Sequence, residues 1–348
     1  MNNNSAPLTP ARTAAPAHGG IADTPVPRLL TAAQLRERGI PASTVSAHCR
    51  PGGPWQQLLP GVYLLHRGAA TQDDLLRAAL LYAGRAVPAQ RGRGSDRPPA
   101  LLTGLAALAV HGFDSVPPLP SQEAFDVLVP RTRRLRSTGF VRLLRAAALP
   151  EPERIAGLAV APVARALADA VAGLPGTGVV RRVLTEAVRD GHCEPGVIVA
   201  ELARARLLAL PHVVGAVDAL LAEGRARAEE RLYALVRGHG LPEPVWNVDL
   251  RLPGGPHLGG VDAYWPEQGL AVELDTRAPR FCGSFEDDAG FEAGAAKREH
   301  LERLGITVVH LTPRGLREAP EQQAVVVRTA LMAAEDREPA AYVVVLPR

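Results

Sequence analysis

Lysine is almost missing from this chain. Of 39 lysines and arginines in 348 residues, one is a lysine, Lys297. A chain that uses arginine wherever a generic cation will serve keeps a lysine either by chance or where a compact ammonium is needed and a planar guanidinium is not. Cysteine is also scarce. Cys49, Cys193 and Cys282 are odd in number and far apart, which excludes a disulfide framework and a paired-cysteine zinc site and fits a reducing cytoplasm. Aromatics make up 4%, so any core must be built from Ala, Leu and Val. Long Ala/Leu stretches are each interrupted by Arg, Asp or Pro, and none approaches the roughly 20 apolar residues that cross a bilayer. No membrane association is expected. Residues 1–27 lack a basic-then-apolar signal pattern and read as a disordered leader, with the protein cytoplasmic.

What is present is unevenly placed. The net charge is only +3, yet residues 131–145, "RTRRLRSTGFVRLLR", carry six arginines and no acid, whereas residues 259–295 carry eight acids against two arginines. Such segregation fits a protein that grips a polyanion with one region and holds cations with another. Two solvated faces are the plainer alternative. Arg131, Arg133, Arg134 and Arg136 lie between a strand-like "AFDVLVPRT" and a second strand expected at Gly139–Leu144. That hairpin-like setting would let them reach phosphates.

Periodicity and turn residues divide the chain. Residues 28–68 read as a winged helix-turn-helix: a helix starting at Thr31, a second opening at Pro41, and a hairpin in "WQQLLPGVYLLH". The second helix would expose Ser43, Thr44, Ser46, His48 and Arg50 to a major groove. Residues 69–222 look mixed α/β, with helices expected over Asp73–Tyr82, Leu101–His111, Pro162–Ala172, Val179–Asp190 and Pro195–Arg204. A mobile Pro/Gly/Arg-rich loop is expected at 85–100. Residues 223–348 read as a further α/β unit, entered by a helical stretch at 212–240 that Gly224 should break. Three strands, an acidic loop, a helix over Ala293–Leu304 and a strand at Ile306–Thr312 follow. The expected fold class is α/β (α+β, multi-domain).

The stretch "GGVDAYWPEQGLAVELDTRA" concentrates the chemistry. Glu273 and Asp275 sit two apart on an expected strand, hence on one face, and a short turn should pair that strand with the one carrying Asp262. Clustered carboxylates repel and resist desolvation unless a cation joins them. Hard divalent ions such as Mg²⁺ accept a few carboxylate oxygens plus water and phosphate. Lys297, on the following helix, could neutralise a phosphate or orient water, and Glu229, on the preceding helix, could point into the same cluster. The competing reading is a surface hairpin with incidental acids. His310 reads either as a phosphate contact or as a packing residue at a strand end.

Over residues 225–320, the order of Glu229, Val261-Asp262, Trp265, Val272-Glu273-Leu274-Asp275, Lys297-Arg298 and "LGITVVHLT" resembles the PD-(D/E)XK nuclease fold, in particular small Vsr-like endonuclease domains. The resemblance implies Asp262 and Glu273 as metal ligands, Asp275 as a further ligand and Glu229 as helix support. Asp275 stands where the parent motif has its lysine, so that role would pass to Lys297. Over residues 28–175, "LTAAQLRERGIPASTVSAHCRPGGPWQQLLPGVYLL", "LLTGLAALAVHGF" and "GLAVAPVARALADAVAGL" are similar to AbiEi-type antitoxins, which implies a DNA-binding transcriptional regulator and keeps Arg165 and Asp169 of that pattern. Two functions are therefore expected. One is a DNA-binding protein with a Mg²⁺-dependent endonuclease domain. The other is a non-catalytic antitoxin-like regulator that retains an inactive nuclease fold. DNA is the expected partner of both, with a toxin or a second copy as the protein partner.

Overall fold

Thr31 ends strand β1 (Leu29–Thr31) and caps helix α1 (Ala32–Glu37), exchanging hydrogen bonds with Gln34 in a capping box. Helix α2 (Ala42–His48) follows, then β2 (Gln56–Leu59) and β3 (Val62–Leu64). The three strands form an antiparallel sheet with β3 in the centre. The turn between β2 and β3 needs Gly61, whose φ of +74° is open to few other residues. This computed structural model describes residues 28–85, 98–276, 295–335 and 342–348. The expected leader, most of the 85–100 loop, Cys282 and the start of the Ala293–Leu304 helix lie outside the described residues.

Helix α3 (Gln72–Ala83) joins the small sheet to a second one. Its strands are β4 (Leu101–Thr103), β5 (Phe125–Pro130), β6 (Val141–Ala146), β7 (Glu153–Ile155) and β8 (Leu158–Val160), in the order β6-β5-β4-β8-β7. Two expectations fail here. The first three residues of the expected Leu101–His111 helix are β4, and helix α4 (Gly104–Val110) begins only at Gly104. Nor do β5 and β6 form a hairpin. They run parallel, with Phe125 opposite Val141 and Pro130 opposite Ala146, so residues 131–140 cross back along the whole strand. Alternation reports which face a residue takes and not which way its strand runs, so the two arrangements look alike in sequence.

Helices α5 (Val163–Val171), α6 (Thr177–Arg189) and α7 (Pro195–Arg204) pack beside this sheet and lead into α8 (Pro211–Gly238). The expected break in α8 is absent. Gly224 is buried inside one continuous helix where α7 crosses it, and a Cβ there would lie 2.3 Å from Pro195 Cγ. The glycine serves a close helix contact and not a turn. The expected boundary at 222/223 therefore falls within α8, but the cores do change there. Val213, Ala216 and Leu220 belong to a core shared with β2, β3 and the second sheet, while Ala228, Leu232 and Leu235 belong to the core of the C-terminal sheet. An exposed Gly→Ala change in a helix gains up to about 1 kcal/mol. Gly224→Ala should reverse that sign and destabilise by about 1–3 kcal/mol, because the new methyl must displace Pro195. Thermal denaturation checks this, and an unchanged or raised midpoint would refute it.

The C-terminal sheet holds β9 (Val245–Arg251), β10 (His257–Trp265), β11 (Leu270–Leu274), β12 (Thr307–Leu311) and β13 (Val344–Pro347), in the order β12-β11-β10-β9-β13. Strands β9, β10 and β11 form an antiparallel meander. Helix α9, covering 295–303, precedes β12, which pairs parallel with β11. Helices α10 (Pro313–Glu318) and α11 (Pro320–Glu335) follow. One sheet face packs Ala263, Val272 and Leu274 against Leu232, Leu235, Val327 and Leu331 of α8 and α11. The other packs Val261, Tyr264 and Ala271 against Leu301 and Ile306. Mixed sheets with helices throughout make the chain a multi-domain α/β protein. Among the described residues no helix is long and apolar enough to cross a membrane.

Candidate active site

The pairing of β10 with β11 ends at Ala263 opposite Val272. One step further along the same register Asp262 would face Glu273, so these acids occupy neighbouring positions where the two strands part. Asp262 is 6% exposed and must find partners for its charge. One carboxylate oxygen accepts the Leu274 amide at 2.6 Å, replacing a ladder bond, and the other meets the Arg225 guanidinium at 2.5 Å. Arg225 also pairs with Glu229, one turn along α8, at 2.9 Å. Glu229 thus reaches the cluster only through Arg225.

Glu273 is half-buried beside Lys297. The ammonium lies 2.5 Å from Oε1, and the same ammonium donates to the Gly260 carbonyl at 2.6 Å. That ammonium is the charge partner of the buried Oε1. Oε2 lies 3.8 Å from Nδ1 of His310, the residue opposite Glu273 in the parallel ladder. Gly259 makes room for the lysine stem: its φ is +116°, and a Cβ there would come within 2.5 Å of Lys297 Cε. Only glycine suits both the backbone angle and the packing. Asp275 lies just beyond β11 with its side chain exposed and its amide bonded to the Leu311 carbonyl.

The structure therefore gathers Asp262, Glu273 and Lys297, with Glu229 behind Arg225. It does not make Asp262, Glu273 and Asp275 a trio: among the described residues no three His, Cys, Asp or Glu side chains are grouped so as to hold a metal ion. Sequence reasoning missed Arg225, one guanidinium among many whose only visible signal was its i,i+4 spacing to Glu229. It also missed Gly259, whose need becomes visible only once the lysine lies over it.

The candidate nucleic-acid contacts divide similarly. On α2, Ser43 and Ser46 are exposed and Thr44 is half-buried, and Arg50, just past the helix, is exposed. His48 turns inward instead, its ring edge-on to Trp55 with centroids 4.5 Å apart. Arg131, Arg134 and Arg136 are exposed, but Arg133 is buried. Its guanidinium donates to the Arg85 carbonyl at 2.6 Å, and burial lowers its pKa from the usual arginine value. Arg133 is thus a structural strut, unable to touch a phosphate. Arg165 clasps Asp169 through two bonds of 2.9 Å, and Asp169 also accepts the hydroxyl of Thr103 on β4.

No protein-family model and no curated protein matches this chain. What the site can do follows from its own chemistry: two carboxylates on adjacent strands and one ammonium, with Lys297 and Glu273 both half-buried. Oxygen donors of this kind suit a hard cation, and the ammonium suits a phosphate.

Proposed function

We propose that this chain is a DNA-binding protein whose C-terminal unit hydrolyses phosphodiester bonds with Mg²⁺. The observation that carries the reading is the position of the chain's one lysine. Lys297 comes from a different element than the motif would use, yet it meets Glu273, the position opposite Asp262 when the β10–β11 register is extended by one step. The order of α8, the β9–β11 meander, α9 and a parallel β12 also agrees with the nuclease resemblance.

The donor set fits Mg²⁺, which commonly takes one or two protein carboxylates and completes its shell with water and phosphate. Asp262 and Glu273 would hold it, Glu273 through the carboxylate that the Lys297 ammonium now faces at 2.5 Å. Bound Mg²⁺ supplies a more acidic water and charge neutralisation at the phosphate. The protein's own groups do the rest. Lys297 places a positive charge beside the reacting phosphate and orients the incoming water, Gly260 holds that ammonium by its carbonyl, and Glu229 aligns Arg225. Incubating the full chain with supercoiled plasmid should give Mg²⁺-dependent nicking that Glu273→Gln abolishes. Absence of nicking by the wild type, or equal nicking by the variant, would sink the catalytic reading.

One observation favours a second reading, a non-catalytic regulator that binds DNA and acts through a toxin or a second copy of itself. Both oxygens of Asp262 already have partners, Arg225 and the Leu274 amide. A site compensated by its own cations would need no metal, and it would bind promoter fragments without cutting them.

A further inference from the structure

We infer that residues 131–140 form a second, rigid phosphate-gripping arm beside the winged unit, so that a bound duplex contacts both the small sheet and the sheet after it. The inference rests on the DNA-binding part of the reading above and not on catalysis. A run of arginines on an ordinary loop would be a solvated feature of little consequence. This segment is different because the fold ties it down. The buried Arg133 bonds the Arg85 carbonyl at the end of α3, and the Tyr82 hydroxyl donates to the Arg136 carbonyl at 2.8 Å. Arg85 in turn lies over the Tyr82 ring and donates to the Pro60 carbonyl at the β2–β3 turn, at 2.8 Å. Gly139 closes the contact, with the Leu59 side chain 3.4 Å from where its Cβ would be.

The segment is thus fastened to the tip of the hairpin by one chain of contacts. Arg131, Arg134 and Arg136 are left outward, and among the described residues none of them has an ion-pair partner. No acid occurs between Asp126 and Glu151, and Asp126 is itself paired with Arg142. Three uncompensated guanidinia carried on an anchored backbone match the recurring charge of a nucleic-acid backbone. Because they would contact phosphates and not base edges, the affinity they add should not depend on sequence.

The test measures anisotropy of labelled duplexes with the full chain in EDTA, across a salt series. Arg134→Gln/Arg136→Gln should weaken binding about tenfold or more near physiological salt, equally for unrelated sequences. It should also lower the slope of log K against log salt by about 1.8, two phosphate contacts at about 0.9 each. Arg50→Ala, just past the end of α2, should weaken binding without removing the loop's share of the slope. If the double variant binds with wild-type affinity and slope while Arg50→Ala binds less well, the arm is overturned and DNA binding by α2 stands. If the wild type binds no duplex at all, the DNA-binding reading fails and the arm with it.

Discussion

Lys297→Met should lower single-turnover nicking by about 10²–10³-fold, the usual cost of removing one preorganised charge from a site of developing negative charge. The ammonium is held at two points, Glu273 and the Gly260 carbonyl, so little rearrangement is needed when the phosphate arrives. Lys297→Arg should recover little of the loss. The lysine stem runs against the bare Gly259 backbone, and the longer, planar arginine would carry its charge to a different position from the ammonium. DNA affinity in EDTA should change far less than the rate. Wild-type nicking by Lys297→Met would remove the lysine from the mechanism.

Arg225→Met should make stability more dependent on Mg²⁺ than it is in the wild type. Asp262 is buried, while Arg225 is partly exposed, its side chain 40% accessible. Truncating the arginine leaves a desolvated carboxylate with only the Leu274 amide, a loss of about 1–3 kcal/mol. For folding units of this size that corresponds to a fall in midpoint of roughly 2–4 °C per kcal/mol. A divalent cation can replace the lost charge, so millimolar Mg²⁺ should restore much of the midpoint in Arg225→Met and raise that of the wild type much less. Identical Mg²⁺ responses in the two proteins would show that Arg225 and the metal do not share Asp262. A large Mg²⁺ gain confined to the variant would mean that the native arginine competes for the metal's place.

Much of the architecture is legible in the sequence. The helix start at Thr31, the apolar spacing of α5 to α7, and the strand–turn–strand around Pro266–Gly269 each carry local signals that tertiary packing leaves unchanged. The three errors share a cause. A parallel strand pair, a glycine within a helix and a strand of three residues before α4 all depend on what lies opposite. Pro195 against Gly224 is a contact between residues 29 apart in the chain, and no local window includes both.

The candidate site divides along the same line. The sequence by itself determined which chemistries were on offer: Asp262 and Glu273 on paired strands, one lysine in the next helix, and a block of arginines without acids. Only the tertiary structure decided how they combine. It brought Lys297 across Gly259 to Glu273, set Arg225 on Asp262, left Asp275 exposed, and turned Arg133 inward while its neighbours face out. The reason is physical. A residue's type limits the charge and hydrogen bonds it can offer, but burial decides whether that charge must be compensated. The partner that compensates it is whichever one the packing of distant elements brings within reach.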